Sequence, residues 1–180
     1  EEIGLEEIKK SLKMEQELNV TSNNKIVSYS IETRPDQVLT KIKLEELLQL
    51  GVTIVELGLQ SPIDEILAIN QRGHNAEISK KAIKILKRNG FHVHGQWMLD
   101  LPGSTKELDM EAVKLILSKE YRCDQIKIYP HLSMPGTLTH EWLTTGKYKS
   151  WVENDWDGFI EVISYLVEHV DSTTRIVRIQ

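Results

Sequence analysis

The chain has 180 residues, of which 40% are hydrophobic and 27% charged, and its formal net charge is −5. These values exclude a disordered chain and any global attraction to nucleic acid, although local basic patches remain compatible with them. No apolar run approaches the length of a membrane span and the amino end does not resemble a signal peptide, so we expect a cytoplasmic protein without membrane contact. The single cysteine, Cys123, excludes an internal disulfide and any iron–sulfur site built only from this chain's cysteines.

The first 24 residues predict an amphipathic helix and a linker that belong to the same domain as the rest of the chain. Apolar residues recur there at near-helical spacing, at Ile3, Leu5, Ile8, Leu12 and Leu18. Residues 25–32 then alternate between apolar and polar side chains, which predicts a first strand. The segment that follows ends this strand at Pro35, and Asp36 is a candidate cap for a helix predicted over residues 39–50.

The most regular alternation in the chain follows, over residues 53–60. Three apolar residues, Val55, Leu57 and Leu59, alternate with Glu56, Gly58 and Gln60. A central strand of a parallel sheet that is covered by helices on both sides would be an almost continuous apolar run. The polar face therefore favours a barrel, in which apolar side chains face the outer helices and polar ones face the lumen.

Helices and strands continue to alternate up to the last residue. Helices are predicted over residues 63–69, 76–89, 106–119, 138–144 and 156–170, and strands over residues 91–99, 124–130 and 175–179. Five strands that alternate with helices predict an α/β fold, with parallel βα units that form part of a TIM-like barrel over residues 25–180. A complete barrel needs roughly 250 residues, so the chain is either an open partial barrel or the carboxyl-terminal part of a larger one. Since it begins at Glu1 rather than at a methionine and stops within an apparent strand, we expect it to be a piece of a longer protein.

Polar side chains occur at the predicted carboxyl ends of four strands, at Glu32, Gln60, Gln96 and Tyr129. In such a barrel these ends converge on one mouth, where the fold carries its chemistry. Arg72 lies just beyond the second of these strands, and its guanidinium can bind a carboxylate or phosphate, although Arg-Gly-His is also typical of a loop with a solvated arginine. No second acid pairs with Glu32, so the mouth suits a hydrogen-bonded polar small molecule more than hydrolysis by two carboxylates.

Three other patterns have simpler interpretations. His92 and His94 point to one face of a strand, but two ligands without a third make a weak metal site, and interior packing is favoured. Residues 100–105 could hold phosphate at a helix amino end, yet they lack the glycine spacing of a phosphate loop and are interpreted as a helix cap. Cys123 is predicted to be a small buried residue. We predict no metal site within this chain.

Seven motifs occur along the chain in the order found in the Elongator catalytic subunit family. They are Ile31-Glu-Thr-Arg-Pro-Asp36, Val55-Glu-Leu-Gly-Leu-Gln-Ser61, Arg72-Gly-His74, Asp100-Leu-Pro102, Lys127-Ile-Tyr-Pro130, Gly136-Thr137 and Thr145-Gly-Lys-Tyr148. From about residue 26 to its end, the chain resembles the later part of that family's radical S-adenosylmethionine domain. The resemblance implies an enzyme of the tRNA uridine(34) acetyltransferase type, which modifies carbon 5 of the wobble uridine with S-adenosylmethionine, a [4Fe–4S] cluster and acetyl-CoA.

The resemblance also implies roles for the cofactor-binding residues. Glu32 would contact the methionyl end of S-adenosylmethionine, Gln60 its ribose, and Arg72 its methionyl carboxylate. Gln96 matches a further cofactor-contacting position less distinctly.

Lys127 and Tyr129 become the catalytic candidates, on the acetyl or uridine side of the mouth. The family's upstream three-cysteine loop and its downstream acetyltransferase domain are absent, so the ligands of the cluster and of acetyl-CoA are expected outside this chain. The isolated chain is then expected to be inactive. The implied partners are tRNA, acetyl-CoA and other Elongator subunits.

Two alternatives remain open at this point. One is another radical enzyme related to the oxygen-independent coproporphyrinogen oxidases, which share the G-x-Q-S and arginine features but lack the Lys-Ile-Tyr-Pro and Thr-Gly-Lys-Tyr segments found here. The other is a scaffold or RNA-binding piece without a cluster.

Overall fold

A single five-stranded parallel sheet organises the computed structural model, which describes residues 4–179 apart from the side chain of Leu5. The strands, in their order across the sheet, are β1 (Ser30–Thr33), β2 (Ile54–Gln60), β3 (His92–Leu99), β4 (Gln125–Pro130) and β5 (Arg175–Ile179). The helices are α1 (Leu5–Thr21), α2 (Lys41–Gln49), α3 (Asp64–Ile69), α4 (Ala76–Arg88), α5 (Lys106–Ile116), α6 (Leu138–Thr144) and α7 (Trp156–His169). Sequential strands pair in parallel, and each crossover carries at least one helix. The predicted α/β architecture of βα units is confirmed.

The two faces of β2 divide as the alternation predicts. Val55, Leu57 and Leu59 are fully buried and join the core with Ala82 and Leu86 of α4. The same core continues along β3 and β4 and out to α7. The opposite face of the sheet keeps the polar side chains, which leaves a polar lumen beside a dry helix-facing layer.

Side-chain caps fix where the helices begin, and so fix the loops at the carboxyl edge of the sheet. Asn75 accepts a hydrogen bond from the Ile78 amide at the start of α4, and Thr105 accepts one from the Leu108 amide at the start of α5. The interpretation of residues 100–105 as a helix cap is confirmed. None of the helices within residues 4–179 is long and apolar enough to cross a membrane.

The first strand is shorter than predicted, because its pairing partner begins late. β1 starts at Ser30, which pairs with Ile54 at the first position of β2. Upstream, the Asn19 side chain hydrogen-bonds both the amide and the carbonyl of Ile26, at 2.8 and 2.9 Å, in place of a neighbouring strand. Val27 is 85% exposed, so the predicted apolar face of residues 25–29 does not form.

Two further predictions about the first 50 residues need correction. Asp36 does not cap a helix; it pairs with Arg34 within a single 3₁₀ turn, and Thr40 caps α2 by accepting from the Lys43 amide. The predicted first helix is present as α1, but none of its three described apolar positions is buried: Ile8 and Leu18 are exposed, and Leu12 is half-buried. Its predicted position Ile3 and the side chain of Leu5 lie outside the described part of the chain.

Candidate functional site

The carboxyl end of β2 departs from regular strand geometry. The register with β3 shifts between Gly58 and Gln60, and Gln60 has φ 66°, in the left-handed region that costs a residue with a side chain about 1–2 kcal/mol. A Cβ on Gly58 would lie 3.3 Å from both the Arg72 guanidinium and the Gln60 amide. The missing side chain at Gly58 therefore makes room for these two polar groups at the strand end.

Arg72 reaches back from the turn after α3 to this strand end. Its amide donates to the Leu67 carbonyl, and its Nη2 donates to the Gly58 carbonyl at 3.3 Å. Its Nε is buried and has no partner among the described residues. Burial lowers the pKa of Arg72 from its ordinary value. A partly desolvated guanidinium with a free N–H group suits an anionic ligand, because buried donors are normally satisfied.

A cavity of about 430 Å³ lies at the carboxyl ends of the neighbouring strands. It brings together four of the six predicted site residues, and its lining is Glu32, Gln96, Met98, Lys127, Tyr129, Pro130, Leu132 and Arg178. Gln60 and Arg72 do not line this cavity. They are nevertheless near it, since Arg72 and Tyr129 are close enough for each to influence the pKa of the other. The six residues therefore form one mouth with two parts, the cavity and the end of β2.

Glu56, which the sequence prediction missed, holds two residues of this mouth, Gln96 and Lys127, in place by hydrogen bonds. One of its carboxylate oxygens accepts hydrogen bonds from Lys127 Nζ at 2.9 Å and from Gln96 Nε2 at 3.0 Å, and the other accepts from Ser30 Oγ at 3.0 Å. Burial acts to raise the pKa of Glu56, but these hydrogen bonds outweigh it and hold the pKa below its ordinary value. Glu56 thus stays ionised and fixes the side chains of two predicted site residues.

The parallel register explains how this cluster forms. Glu56 pairs with His94, and Gln96 pairs with Lys127, so polar residues on the same face of three successive strands become neighbours. The alternation of β2 already predicts that Glu56 lies on the polar face of the sheet. The prediction considered only strand ends, and so passed over a carboxylate in the middle of the strand.

Comparison with known proteins identifies the family. A family model described as the radical SAM superfamily matches residues 2–116. The chain belongs to this superfamily. The resemblance to the Elongator catalytic subunit family is confirmed as well, since the chain is 39% identical over 172 residues to the tRNA uridine(34) acetyltransferase of Methanocaldococcus infernus.

Solved structures agree with this assignment. The archaeal Methanocaldococcus infernus Elp3 has a TM-score of 0.85 at 37% identity, with 93% of this chain and 39% of that chain covered. Coproporphyrinogen III oxidase from Escherichia coli has a TM-score of 0.69 at 18% identity over 93% of this chain and 38% of that one, which shows a shared fold alone. The chain spans about a third of the length of the curated relatives it matches, since it covers 32% of the Methanocaldococcus infernus protein.

The mouth fits S-adenosylmethionine, the ligand of radical SAM enzymes, in part. At its positive end Arg72 has a buried donor without a partner among the described residues, and both Arg72 and the Gln60 amide lie beside Gly58. Tyr129 offers a phenol: burial and the nearby Glu32 raise its pKa, so it is neutral at pH 7 and can donate a hydrogen bond. These groups suit a zwitterionic ligand with hydroxyl groups.

The same residues do not fit an iron–sulfur cluster. Cys123, the single cysteine, is 1% exposed on the helix side of the sheet, and burial raises the pKa of its thiol to about 12. The described residues contain no group of three or more His, Cys, Asp and Glu that could hold a metal ion. His94 is buried beside Glu56 and packs in the interior, as predicted, whereas His92 is only half-buried. Burial lowers the pKa of His94, which favours its neutral form.

Proposed function

We propose that this chain forms the cofactor-binding wall of an enzyme that modifies carbon 5 of the wobble uridine of tRNA with an acetyl unit from acetyl-CoA. The observation that carries the proposal is the 39% identity to a protein named tRNA uridine(34) acetyltransferase, over 95% of this chain. Because the chain covers 32% of that relative, the remaining functions are assigned to a longer protein that contains it.

Four residues are proposed to hold S-adenosylmethionine. Arg72 would bind the methionyl carboxylate through its free Nε, and Glu32, on the cavity wall, would contact the ammonium of the same group. Gln60, which the left-handed backbone turns away from the regular strand, would contact the ribose. Gln96 donates one N–H to Glu56, which leaves its second N–H to donate to the ligand and its amide oxygen to accept from it. When bound, S-adenosylmethionine supplies the radical chemistry of the superfamily.

Lys127 and Tyr129 are proposed to act on the substrate side. Glu56 orients the Lys127 ammonium with one of its three N–H donors, which leaves the others to hydrogen-bond a carbonyl of the acetyl group or of the uracil ring. Tyr129, as a neutral phenol on the same strand face, adds a second donor. Both residues would orient and polarise a substrate carbonyl.

The cluster and acetyl-CoA would be bound by other segments of the longer protein, together with tRNA and any further Elongator subunits. We also propose that residues 1–24 belong to the same domain as residues 25–180. The hydrogen bond from the Gln16 side chain to the Gln49 carbonyl, at 2.9 Å, supports this, because it ties α1 to the end of α2. The proposed location, in keeping with a tRNA substrate, is the cytoplasm.

A chimera tests the function. This chain would replace the matching 172 aligned residues of the Methanocaldococcus infernus tRNA uridine(34) acetyltransferase, whose remaining segments supply what the chain lacks. After anaerobic reconstitution with iron and sulfide, the expected result is modified uridine 34 in a tRNA transcript, detected by nucleoside mass spectrometry.

Two controls make the result decisive. The unaltered relative reports the activity of the assay, and the Arg72→Ala chimera should lose most of the activity while it keeps the cluster absorbance. A chimera that folds and binds S-adenosylmethionine but leaves uridine 34 unmodified would contradict the proposal. The 180-residue chain alone, treated in the same way, should show no cluster absorbance.

A further inference from the structure

A basic groove of about 550 Å³ lies on the outer wall of the domain, away from the mouth. Its lining includes seven lysine and arginine side chains but only two glutamates. Helix α4 contributes Lys80, Lys81, Lys84, Lys87 and Arg88, and the loop after α5 contributes Lys119 and Arg122. On a chain with a net charge of −5, this groove reverses the sign of the charge locally.

Internal ion pairs account for only part of this charge. Lys80 pairs with Glu120 at 2.9 Å, Lys87 pairs with Asp124 at 3.0 Å, and Arg122 pairs with Asp171. The other four cations of the groove are exposed and have no acidic partner among the described residues: Lys81, Lys84, Arg88 and Lys119.

The close spacing of lysine and arginine side chains on α4 is not explained by the stability of the helix. Lys84 lies one helical turn from Lys80 and Lys81 on one side and from Lys87 and Arg88 on the other, and like charges at these spacings destabilise a helix. Lys87 and Arg88 complement the negative end of the helix dipole, but Lys81 and Lys84 precede the last turn. Glu77, four residues before Lys81, offsets part of this repulsion, and the excess of positive charge that remains is best explained by an anionic partner.

The side-chain chemistry distinguishes between two kinds of partner. Protein interfaces are depleted in lysine at their centres and rely on aromatic and apolar anchors. In the basic groove five of the seven cations are lysine, and the apolar residue in the lining, Ile83, is buried. Lysine acts as a mobile point charge, which suits phosphates in a row.

We propose that the basic groove binds the phosphate backbone of RNA, without reading its sequence. The proposal rests on the proposed function in that tRNA supplies the RNA. The groove begins along α4 and ends near the amino ends of β3 and β4, whereas the mouth is at their carboxyl ends. The eight residues of β3 separate these ends by about 25 Å. A tRNA stem can span this distance, so the groove would hold the body of the RNA while the anticodon reaches the mouth.

The test compares two triple variants of the 180-residue chain with equal charge. The groove variant is Lys81→Glu/Lys84→Glu/Arg88→Glu, and the control variant is Lys10→Glu/Lys13→Glu/Lys25→Glu, at exposed lysines of α1 and the following linker. Each replacement changes the charge by two, so both variants move from −5 to −11. Binding of a fluorescein-labelled tRNA transcript is followed by anisotropy across a salt series, and folding by circular dichroism.

The expected result is at least a tenfold loss of tRNA affinity at low salt for the groove variant, with a much smaller loss for the control. The slope of log affinity against log salt should also fall in magnitude by roughly 2 to 3, because three phosphate contacts are lost. Should the groove variant fail to fold, the neutral variant Lys81→Gln/Lys84→Gln/Arg88→Gln is measured instead, with Lys10, Lys13 and Lys25 changed to Gln as its control.

Two results for tRNA would overturn the proposal: the unaltered chain does not bind tRNA, or the groove variant and the control variant lose the same affinity. A third result would also overturn it: the groove variant binds tRNA as well as the unaltered chain does but loses binding to poly-glutamate. This third result would indicate an acidic protein partner. Different results would contradict the RNA-binding role of the basic groove and the proposed function. An active chimera with unchanged tRNA binding in the groove variant contradicts the groove alone. An inactive chimera, with the predicted loss in the groove variant, contradicts the function alone.

Discussion

Asp109 on α5 gives this domain a stability that depends on pH in an unusual direction. The carboxylate is buried, and it accepts hydrogen bonds from the Asp100 amide at 2.6 Å, from Trp151 Nε1 at 2.8 Å and from Ser104 Oγ at 2.5 Å. It thereby fastens the loop after β3 and the segment before α7 to α5. Burial raises its pKa from 3.8 to about 6, despite these donors.

The magnitude follows from linkage between protonation and folding. In the unfolded chain Asp109 ionises near pH 3.8, and in the folded chain near pH 6, so the folded state binds the proton more tightly between these values. At about 1.36 kcal/mol for each pKa unit, the ionised carboxylate costs the fold about 3 kcal/mol above pH 6. Below pH 3.8 both states are protonated and the cost disappears.

Asp109→Asn removes the titration and keeps the contacts. The asparagine carbonyl can accept from the Asp100 amide and Trp151, and its amide can donate to Ser104 Oγ. In urea unfolding between pH 4 and 7.5, the variant should gain up to about 3 kcal/mol relative to the unaltered chain as the pH rises. The exposed Glu111 on the same helix provides the control, Glu111→Gln. Parallel pH profiles for Asp109→Asn and the unaltered chain would refute the reasoning.

Three more predictions concern the sheet. Gly95→Ala should destabilise the fold by about 1–3 kcal/mol in urea unfolding, because the new methyl would lie 2.8 Å from Cys123 Sγ; an unchanged midpoint would contradict the packing. Cys123 should react with a thiol reagent only after denaturation, since it is buried with a pKa of about 12, and rapid reaction of the native chain would contradict this. Glu56→Gln should cost about 1–3 kcal/mol, measured in the same way, because Lys127 loses its charged partner; an effect no larger than that of Ser30→Ala would contradict the central role of Glu56.

The sequence predicted best where local pattern and tertiary structure coincide. The alternation of residues 53–60 determines which face of β2 is buried, and the structure buries Val55, Leu57 and Leu59 accordingly. The convergence of Glu32, Gln96 and Tyr129 at one mouth follows from parallel strands alone, whatever the details of the loops. Their roles toward a cofactor stay predictions.

The failures have a common cause, which is that hydrogen bonds between distant segments decide the outcome. Residues 25–29 alternate like a strand, yet β2 begins only at Ile54, opposite Ser30, and Asn19 satisfies the backbone of Ile26 instead. The buried hydrogen bonds of Asp109 include one from Trp151, which lies 42 residues later in the chain. No periodic pattern in the sequence predicts this contact. The alternation of β2 places Glu56 on the polar face, so this much could be predicted from the sequence. Its hydrogen bonds could not, because they depend on the strand register that places Gln96 beside Lys127.

The affinity of the reconstituted chimera for S-adenosylmethionine tests the central claim most directly. Isothermal titration should show that Arg72→Ala weakens binding by roughly 1.5 to 3 kcal/mol, about tenfold to more than a hundredfold, because a charged hydrogen bond to the methionyl carboxylate is lost. Arg88→Ala, which removes the same charge from the opposite end of the sheet, should leave the affinity unchanged. Equal affinities for Arg72→Ala and the unaltered chimera would contradict the assignment of the end of β2 as the cofactor site.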